Sequence, residues 1–297
     1  MASIIADVGG GNWTTGSTWI GGVAPTAADD ALLEVASGNV TINSGAVCRS
    51  LDCAGVSSYV GTLTHTAGVT LTIGDGTAGA GNRALRLSSG MTYTKGSTTT
   101  SAITFASTSA TQQTITWAGK THGDITYSGV GGSWLLADAD TGTACLVAHS
   151  AGTFDTGAQT CSWSSYLATG STTKVMTITN SSMTFAGGFG GGFNITGSGC
   201  TLNASGSTIT LTGYQPTLGS GGVSSATFAT VTCTGGGVAA ITVNAGTVFG
   251  TINATGAAAQ DSGISFSANV SVTTLNGDGD ALALWRDETR AAHQRRP

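Results

Sequence analysis

The sequence has few charged and few aromatic residues, which make up 8% and 6% of its 297 positions. Ordinary globular domains carry about 25% charged residues. The formal net charge is −5, and the sequence pI is near 5.1. The basic residues before position 286 form no cluster in sequence: Arg49, Arg83, Arg86, Lys95, Lys120 and Lys174. This composition argues against a nucleic-acid interface.

The chain also lacks a segment typical of membrane insertion or secretion. No stretch approaches the roughly 18 consecutive apolar residues of a membrane-spanning helix. The opening residues 1–13 have neither the basic start nor the apolar run of a signal peptide. We therefore expect a protein that is made and released in the cytosol and does not insert into a membrane.

The cysteines show no C-x-x-C pair and no zinc-ligand spacing. We expect them to be small, buried side chains within strands, with disulfides between coils or subunits as the alternative. Cys48 and Cys53 are an odd number of residues apart, so on one continuous strand they would face opposite sides and would not pair. The six cysteines are Cys48, Cys53, Cys145, Cys161, Cys200 and Cys233.

A repeated pattern of short strands fills the region from Val40 to Gly277. Apolar and threonine runs such as VTLTIG (69–74), STITLTG (207–213) and AITVNAG (240–246) alternate with turns of small residues, and the chain contains 47 glycines. Runs of this length, spaced about 8–12 residues apart without a helical pattern between them, indicate an all-β array. Such an array is usually a scaffold.

The pattern favours a right-handed parallel β-helix over residues 37–277, with a sandwich or a chain of small β modules as alternatives. Hairpin signals are scarce, because Asn-Gly occurs only at Asn276-Gly277. In a β-helix, strands stack about 4.8 Å apart and their inward apolar residues form ladders. The predicted core or interface residues are Phe105, Ile115, Trp117, Ile125, Ile178, Phe185, Ile209, Leu211, Ile241 and Phe249.

The two ends differ from this repeat. Residues 1–36 hold two of the six tryptophans and are interpreted as an N-terminal cap over the open end of the array. Residues 278–297 form a C-terminal tail, in which Ala281 to Arg296 has the composition of a helix. The alternative is a frayed, solvated terminus.

The tail also carries the candidate interface residues. We expect Trp285 to act as an apolar anchor and the arginines to steer the tail onto a more acidic partner, unless the tail caps the β-helix instead. These residues are Trp285, Arg286, Arg290, Arg295 and Arg296.

Three aspartates are the only enzymatic candidates. Asp138 and Asp140 are two residues apart and would share a strand face, and Asp155 could join them one coil away. Their spacing overlaps the carboxylate separation of inverting glycosidases. The competing interpretation is an ordinary aspartate-rich turn, which we favour, so no catalytic residue is assigned.

Other apparent motifs are better explained as structure. Residues 74–79 match G-x-G-x-x-G, but no helix pattern follows, so a turn is expected. Asn276, Asp278 and Asp280 alternate like calcium ligands without the central glycine of a calcium loop. The four histidines have no ligand spacing, and we assign no cofactor and no metal: His65, His122, His149 and His293.

Longer stretches resemble proteins of tailed-bacteriophage virions. Residues 112–160 have the order strand, A-G-K, strand, G-x-G-G-x-W-x-L, strand, A-G-T-F-D, and residues 201–213, 220–237 and 240–256 resemble later units of the same proteins. The pattern W-x5-W-x-G-G-x2-P-T-A-x-D-D, from Trp13 to Asp30, is similar to the opening cap of many extracellular and virion β-helices. The resemblance covers most of residues 10–275.

The resemblance implies a structural virion component of the tail, tip or fibre. Its expected partners are further copies of the chain, most simply in a trimer, other virion proteins and a host-surface glycan. The alternatives are a capsid decoration, a glycan-binding module, or a tailspike that degrades polysaccharide.

Overall fold

The computed structural model describes residues 2–97, 99–142, 144–187, 191–214, 217–220, 222–223, 226–235, 239–244, 246–254, 263–266, 270–277 and 283–285. These residues form a parallel β-solenoid of about 11 turns, called coils below. The predicted all-β, parallel architecture is confirmed. The described residues contain a single helical segment, the 3-10 turn Gly16–Thr18.

The strands are short and follow one another closely along the chain. The first half contains β1 (Ser3–Ile5), β2 (Gly11–Asn12), β3 (Asp30–Leu32), β4 (Val40–Ile42), β5 (Val47–Cys48), β6 (Ser50–Asp52), β7 (Thr62–His65), β8 (Thr70–Ile73), β9 (Arg83–Arg86), β10 (Thr92–Lys95), β11 (Ala102–Phe105), β12 (Gln113–Thr116), β13 (Ile125–Tyr127), β14 (Ser133–Leu136) and β15 (Leu146–His149). The second half contains β16 (Gly152–Asp155), β17 (Thr160–Trp163), β18 (Ser165–Ala168), β19 (Lys174–Thr177), β20 (Ser182–Phe185), β21 (Gly192–Ile195), β22 (Cys200–Asn203), β23 (Thr208–Leu211), β24 (Thr217–Gly219), β25 (Thr227–Cys233), β26 (Ala239–Thr242), β27 (Val248–Ala254), β28 (Gly263–Phe266), β29 (Ser271–Gly277) and β30 (Ala283–Trp285).

The strands stack into long sheets that run along the solenoid axis. Sheet 1 is β1-β3-β6-β9-β12-β14-β16-β19-β22, and sheet 2 is β5-β8-β11-β13-β15-β18-β21-β24-β26-β28-β30. The third side is divided into sheet 3N, β2-β4-β7-β10, and sheet 3C, β17-β20-β23-β25-β27-β29. From β3 to β24, each coil passes through sheet 1, then sheet 3N or 3C, then sheet 2, except that the coils β12–β13 and β14–β15 have no strand on the third side.

Alternation of residue type along each strand produces the core. In β8, Leu71 and Ile73 are buried while Thr70 and Thr72 face outward. Because partner strands are in register, inward residues of sheet 2 form one continuous ladder. This ladder is Leu71, Ile103, Ile125, Val147, Tyr166, Phe193, Leu218 and Ile241. All ten core residues predicted from the sequence are buried.

Residues 3–32 already contribute strands to the sheets. β1 and β3 pair in parallel at the start of sheet 1, and Ala6 forms an antiparallel bridge with Trp19. Trp13 and Trp19 are buried, with ring centroids 4.9 Å apart in an edge-to-face arrangement. The indole nitrogen of Trp19 donates a hydrogen bond to the carbonyl of Trp13 at 2.6 Å. These two aromatic side chains fill the first coil.

The cysteines are buried free thiols, as the sequence predicted. Cys48 and Cys53 form no disulfide, as expected, but the reason differs from the parity argument, because the two residues do not share a strand. Cys48 ends β5 of sheet 2, and the chain then turns at Arg49 into β6 of sheet 1, which Cys53 follows. Both side chains therefore point into the core.

Three residues of the C-terminal tail lie within the described part of the chain. Ala283–Trp285 form strand β30, which pairs in parallel with β28. These residues extend sheet 2, whereas the sequence favoured a helix there. The interface candidates Arg286, Arg290, Arg295 and Arg296 lie outside the described residues, and only the backbone of Trp285 is described.

Candidate functional site

The third side of the solenoid is interrupted in its middle. Sheet 3N ends at β10, and sheet 3C begins at β17. In the two coils between them, the described residues of 117–123 and 137–145, which leave out residue 143, connect sheet 1 to sheet 2 without a strand on this side. We call these two segments the break. The break contains two buried residues of opposite charge type, His122 and Asp140.

A fully buried ion pair lies inside the break. The Nε2 atom of His122 is 2.6 Å from Oδ1 of Asp140, and both side chains are 0% exposed. The other ring nitrogen, Nδ1, is 2.7 Å from the carbonyl oxygen of Gly123. Since both ring nitrogens face an acceptor, each carries a proton and the imidazole is charged. The ring stacks on Trp117 with centroids 3.9 Å apart.

The carboxylate keeps this imidazole protonated. Burial alone lowers the pKa of His122, but the charge of Asp140 and the hydrogen bond to it outweigh burial and raise the pKa to about 10. The second carboxylate oxygen of Asp140, Oδ2, has no partner among the described residues, and the same holds for the Tyr127 hydroxyl. Burying a polar atom without a hydrogen-bond partner lowers the free energy of unfolding, so the unpaired Oδ2 offsets part of the stability that the ion pair contributes.

Polar side chains and irregular backbone contacts replace the missing strands on either side of the pair. Lys95, at the end of β10, donates from Nζ to the His122 carbonyl at 2.7 Å. The carboxylate of Asp138 accepts from the backbone nitrogens of Trp117 at 2.8 Å and Ala118 at 2.6 Å. Asp140 bridges in parallel to Cys161, the second residue of β17. These contacts join consecutive coils where the regular ladder is absent.

Two further buried histidines have a different environment. The Nδ1 atom of His65 is 2.8 Å from the Tyr93 hydroxyl and that of His149 is 2.6 Å from the Tyr166 hydroxyl. In each case Nε2 faces a backbone carbonyl, from Val69 and Gly152 respectively. Without a carboxylate partner, burial lowers the pKa of His65 and lowers that of His149 to about 4. These imidazoles are neutral, and each accepts from its tyrosine. His293 lies outside the described residues.

The three candidate glycosidase aspartates do not converge in a groove. Asp140 points into the core towards His122, with no exposed surface. Asp138 is occupied by the two backbone nitrogens described above, and the Oδ1 atom of Asp155 accepts from the backbone nitrogen of Gly157 at 2.8 Å. Each carboxylate thus has a structural contact. The turn interpretation of this segment agrees with the geometry.

Cys145 lies beside the ion pair, but its surroundings oppose thiolate chemistry. Its side chain is buried, and burial raises the pKa of the thiol although His122 opposes this shift. A nucleophilic cysteine needs a lowered pKa and access to substrate. The Cys145, His122 and Asp140 arrangement therefore resembles a catalytic triad in composition only.

The other motifs considered from the sequence also have structural roles. In the glycine-rich segment 74–79, Oδ1 of Asp75 accepts from the backbone nitrogen of Thr77 at 2.7 Å, which closes a turn. Asn276 lies in β29 and donates to Oδ1 of Asn253 on the preceding coil at 2.9 Å. Asp278 and Asp280 lie outside the described residues. Within the described ranges, no group of three or more potential metal ligands is found.

The outer side of sheet 3C is chemically uniform. Two outward columns run across its six strands in register, and we call them together the hydroxyl face. The first column is Thr160, Ser182, Thr208, Thr230, Thr251 and Thr274, and the second is Ser162, Thr184, Thr210, Thr232, Asn253 and Asn276. From Val175 to Gly277 the sequence contains one charged residue, Asp261, which lies outside the described residues.

Exposed valines collect at one corner near the N-terminus. Val8, Val35, Val56 and Val60 lie in successive turns between sheet 1 and sheet 3N and are 76%, 56%, 99% and 57% exposed. We call them the valine corner. Beside this corner, Arg86 donates two hydrogen bonds to the Asp52 carboxylate at 2.8 and 2.7 Å.

Sequence reasoning missed the His122–Asp140 pair because the two residues were considered separately. They are 18 positions apart, which is close to one coil. In a solenoid, residues one coil apart become neighbours. A histidine followed about one coil later by an aspartate was therefore the signal that could have found it.

Comparison of the chain with protein-family models, with curated proteins and with solved structures gave no match. The family resemblance therefore rests on the sequence motifs alone. Among the described residues, no helix has the length and apolar character needed to cross a bilayer.

Proposed function

We propose that this protein is a structural component of a phage virion, in the tail, tip or fibre, and that it acts as an oligomeric β-solenoid scaffold. The observation that carries the proposal is that the side chains able to perform chemistry are buried or occupied by structural contacts. The described histidines and all six cysteines are buried, and the glycosidase candidates make structural contacts. The outward surface offers hydroxyl groups and small residues instead.

Self-association is supported by the apolar residues that remain exposed. The valine corner exposes four side chains in neighbouring coils. Contiguous exposed apolar surface commonly marks a protein contact. The proposal of three subunits comes from the resemblance to phage fibres. The exposed surface supports self-association but does not indicate the number of subunits.

The oligomer is tested by light scattering of the full-length protein at micromolar concentration. We expect a mass that is a multiple of the 29.1 kDa chain. Replacing Val35 and Val56 together by Asp should shift the mass towards the monomer, whereas replacing exposed Val130 by Asp should not. A monomeric wild-type protein would contradict the oligomer.

The virion role is tested separately, by mass spectrometry of purified particles from the host that carries the gene. We expect the chain among the structural proteins, and labelling with a specific antibody in the electron microscope should place it on the tail. Label on the capsid would favour the decoration alternative. Absence from the particle would overturn the proposal.

We further propose that the tail from residue 286 docks on a neighbouring virion protein. β30 already extends sheet 2 to Trp285, so the arginines beyond it lie next to the end of the solenoid in sequence. Deleting residues 286–297 should leave thermal unfolding unchanged and reduce incorporation into particles. Normal incorporation would contradict the docking role, and a lowered unfolding temperature would indicate a cap.

A further inference from the structure

The hydroxyl face is a regular two-dimensional array. Register pairing places Thr208 next to Thr230 and Thr210 next to Thr232, and the same relation continues over six strands. The residues between the columns, such as Ile209 and Val231, are buried, so the columns face outward. The backbone hydrogen bonds of the sheet therefore fix the position of every hydroxyl-bearing residue.

The dimensions of the array follow from strand geometry. Neighbouring strands are about 4.8 Å apart, and residues two apart on one strand are separated by about 6.5–7 Å. Eight of the twelve positions in the two columns are β-branched threonines with a restricted χ1 angle, and the others are Ser162, Ser182, Asn253 and Asn276. Hydrogen-bonded oxygens about 2.75 Å apart give an ideal tetrahedral ice lattice repeats of about 4.5 Å and about 7.3 Å, and both spacings of the face agree with these within about a tenth.

The composition of the face excludes most other ligands. It carries no charged side chain, so it offers no contact for phosphates of a nucleic acid. It has no aromatic ring on which a sugar could stack. Protein interfaces are enriched in aromatic residues, methionine and arginine, which are also absent from the two columns.

Hydroxyl groups suit an ordered water lattice as a partner. Each Thr or Ser hydroxyl can donate one hydrogen bond and accept two. A water molecule also accepts two hydrogen bonds but donates two, so a hydroxyl can replace a water molecule except for one donated bond. The threonine methyl groups lie between the hydroxyls and add apolar surface. A neutral, periodic surface of this kind complements a neutral, periodic ligand.

We propose that the hydroxyl face binds the surface of ice, through the lattice of its water molecules. This activity is distinct from the scaffold role and does not depend on it. Sheet 1 has no such array in the same coils, because its outward positions there include Asp155 in β16 and Val175 in β19.

The test is partition of the full-length protein into slowly grown ice, together with crystal-growth arrest measured in a nanolitre osmometer. The wild-type protein should be enriched in ice over a reference protein of similar size. Thr210→Tyr, in the centre of the face, should reduce the enrichment by about tenfold or more, equivalent to ~1.4 kcal/mol.

Thr126→Tyr is the matched control. Thr126 faces outward from sheet 2 between Thr104 and Ala148, and the same substitution there should leave enrichment in ice unchanged. Circular dichroism and thermal unfolding should show both variants folded. A second variant, Thr184→Val, keeps the shape and removes one hydroxyl, so it should produce a smaller loss.

Three outcomes would overturn the proposal. The first is exclusion of the wild-type protein from ice to the same extent as the reference protein. The second is equal loss in Thr210→Tyr and Thr126→Tyr. The third is dissociation of an oligomer by Thr210→Tyr, which would identify the face as a subunit contact.

Discussion

Sheet 3C and the break occupy the same side of the solenoid and are held together in different ways. In sheet 3C, six strands pair in register, and the side chains between buried positions are Thr, Ser or Asn. In the break, His122, Asp140, Asp138 and Lys95 supply contacts that join the coils. Backbone hydrogen bonds join consecutive coils in sheet 3C, whereas specific side chains join them in the break.

The two regions differ in how strongly they depend on the identity of their residues. A parallel ladder accepts many residues, because its hydrogen bonds involve only the backbone. The break has no such ladder, so it depends on residue identity. Loss of one partner there leaves a buried charge uncompensated. We therefore expect the break to be the most sensitive part of the core.

The largest effect is expected from Asp140→Ala. Removing the carboxylate leaves the buried His122 without its counter-charge, and breaking a buried pair in this way costs about 3–5 kcal/mol. Unfolding in guanidinium chloride, followed by circular dichroism, measures the loss. Asp155→Ala is the matched control, since it removes one accepted bond at the surface and should cost only about 0.5–1.5 kcal/mol. Equal losses would show that the break has no special sensitivity.

A core truncation in sheet 3C should have an effect of similar or smaller size. Ile209 is fully buried in β23, and Ile209→Ala should cost about 2–5 kcal/mol through lost burial and the cavity left behind. Its outward neighbour Thr210 provides the comparison, because Thr210→Ala should stay within about 0.5 kcal/mol. A large loss in Thr210→Ala would mean that the hydroxyl face stabilises the fold.

The pH dependence of stability separates the two kinds of histidine. His122 has a folded pKa of about 10, above the unfolded value of about 6.5. Its contribution is complete below pH 6.5 and is lost as the pH rises towards 10. His149 has a folded pKa of about 4, so its contribution is present above pH 6.5 and is lost as the pH falls.

Stability should therefore be greatest near pH 6.5, and each histidine changes it by at most about 1.4 kcal/mol per pH unit. The measurement is the free energy of unfolding between pH 4.5 and 7.5, because the buried cysteines, with an unfolded pKa of about 8.5, would add a decline of their own at higher pH. The double variant His122→Gln with Asp140→Asn should lose the decline above pH 6.5 and retain the decline below it. An unchanged upper limb would contradict a charged His122.

The smallest effect concerns thiol reactivity. Burial raises the pKa of Cys145 in the break, and burial raises the pKa of Cys233 in sheet 3C to about 11. Both should resist a thiol reagent in the native protein. In Asp140→Ala, Cys145 should become labelled faster while Cys233 does not, as measured by mass spectrometry of peptides. Equal acceleration at both sites would indicate global opening.

The amino-acid sequence by itself determined the class of the fold. Alternation of Thr with Ile, Leu or Phe over four residues specifies which side of each strand is inward, and this pattern is local. The inward residues predicted from it, such as Phe105, Ile209 and Phe249, are all buried. The parallel architecture followed from the scarcity of hairpin turns, which is also a local property.

Only the tertiary structure decided what the polar residues do. His122 and Asp140 become partners because one coil returns the chain to the same place, and the length of that coil is set by turns that carry no clear sequence signal. The same reason explains why Cys48 and Cys53 both point inward, since the turn at Arg49 changes the sheet between them. The register of the hydroxyl face is likewise a property of stacking, because each strand contributes only two of its positions.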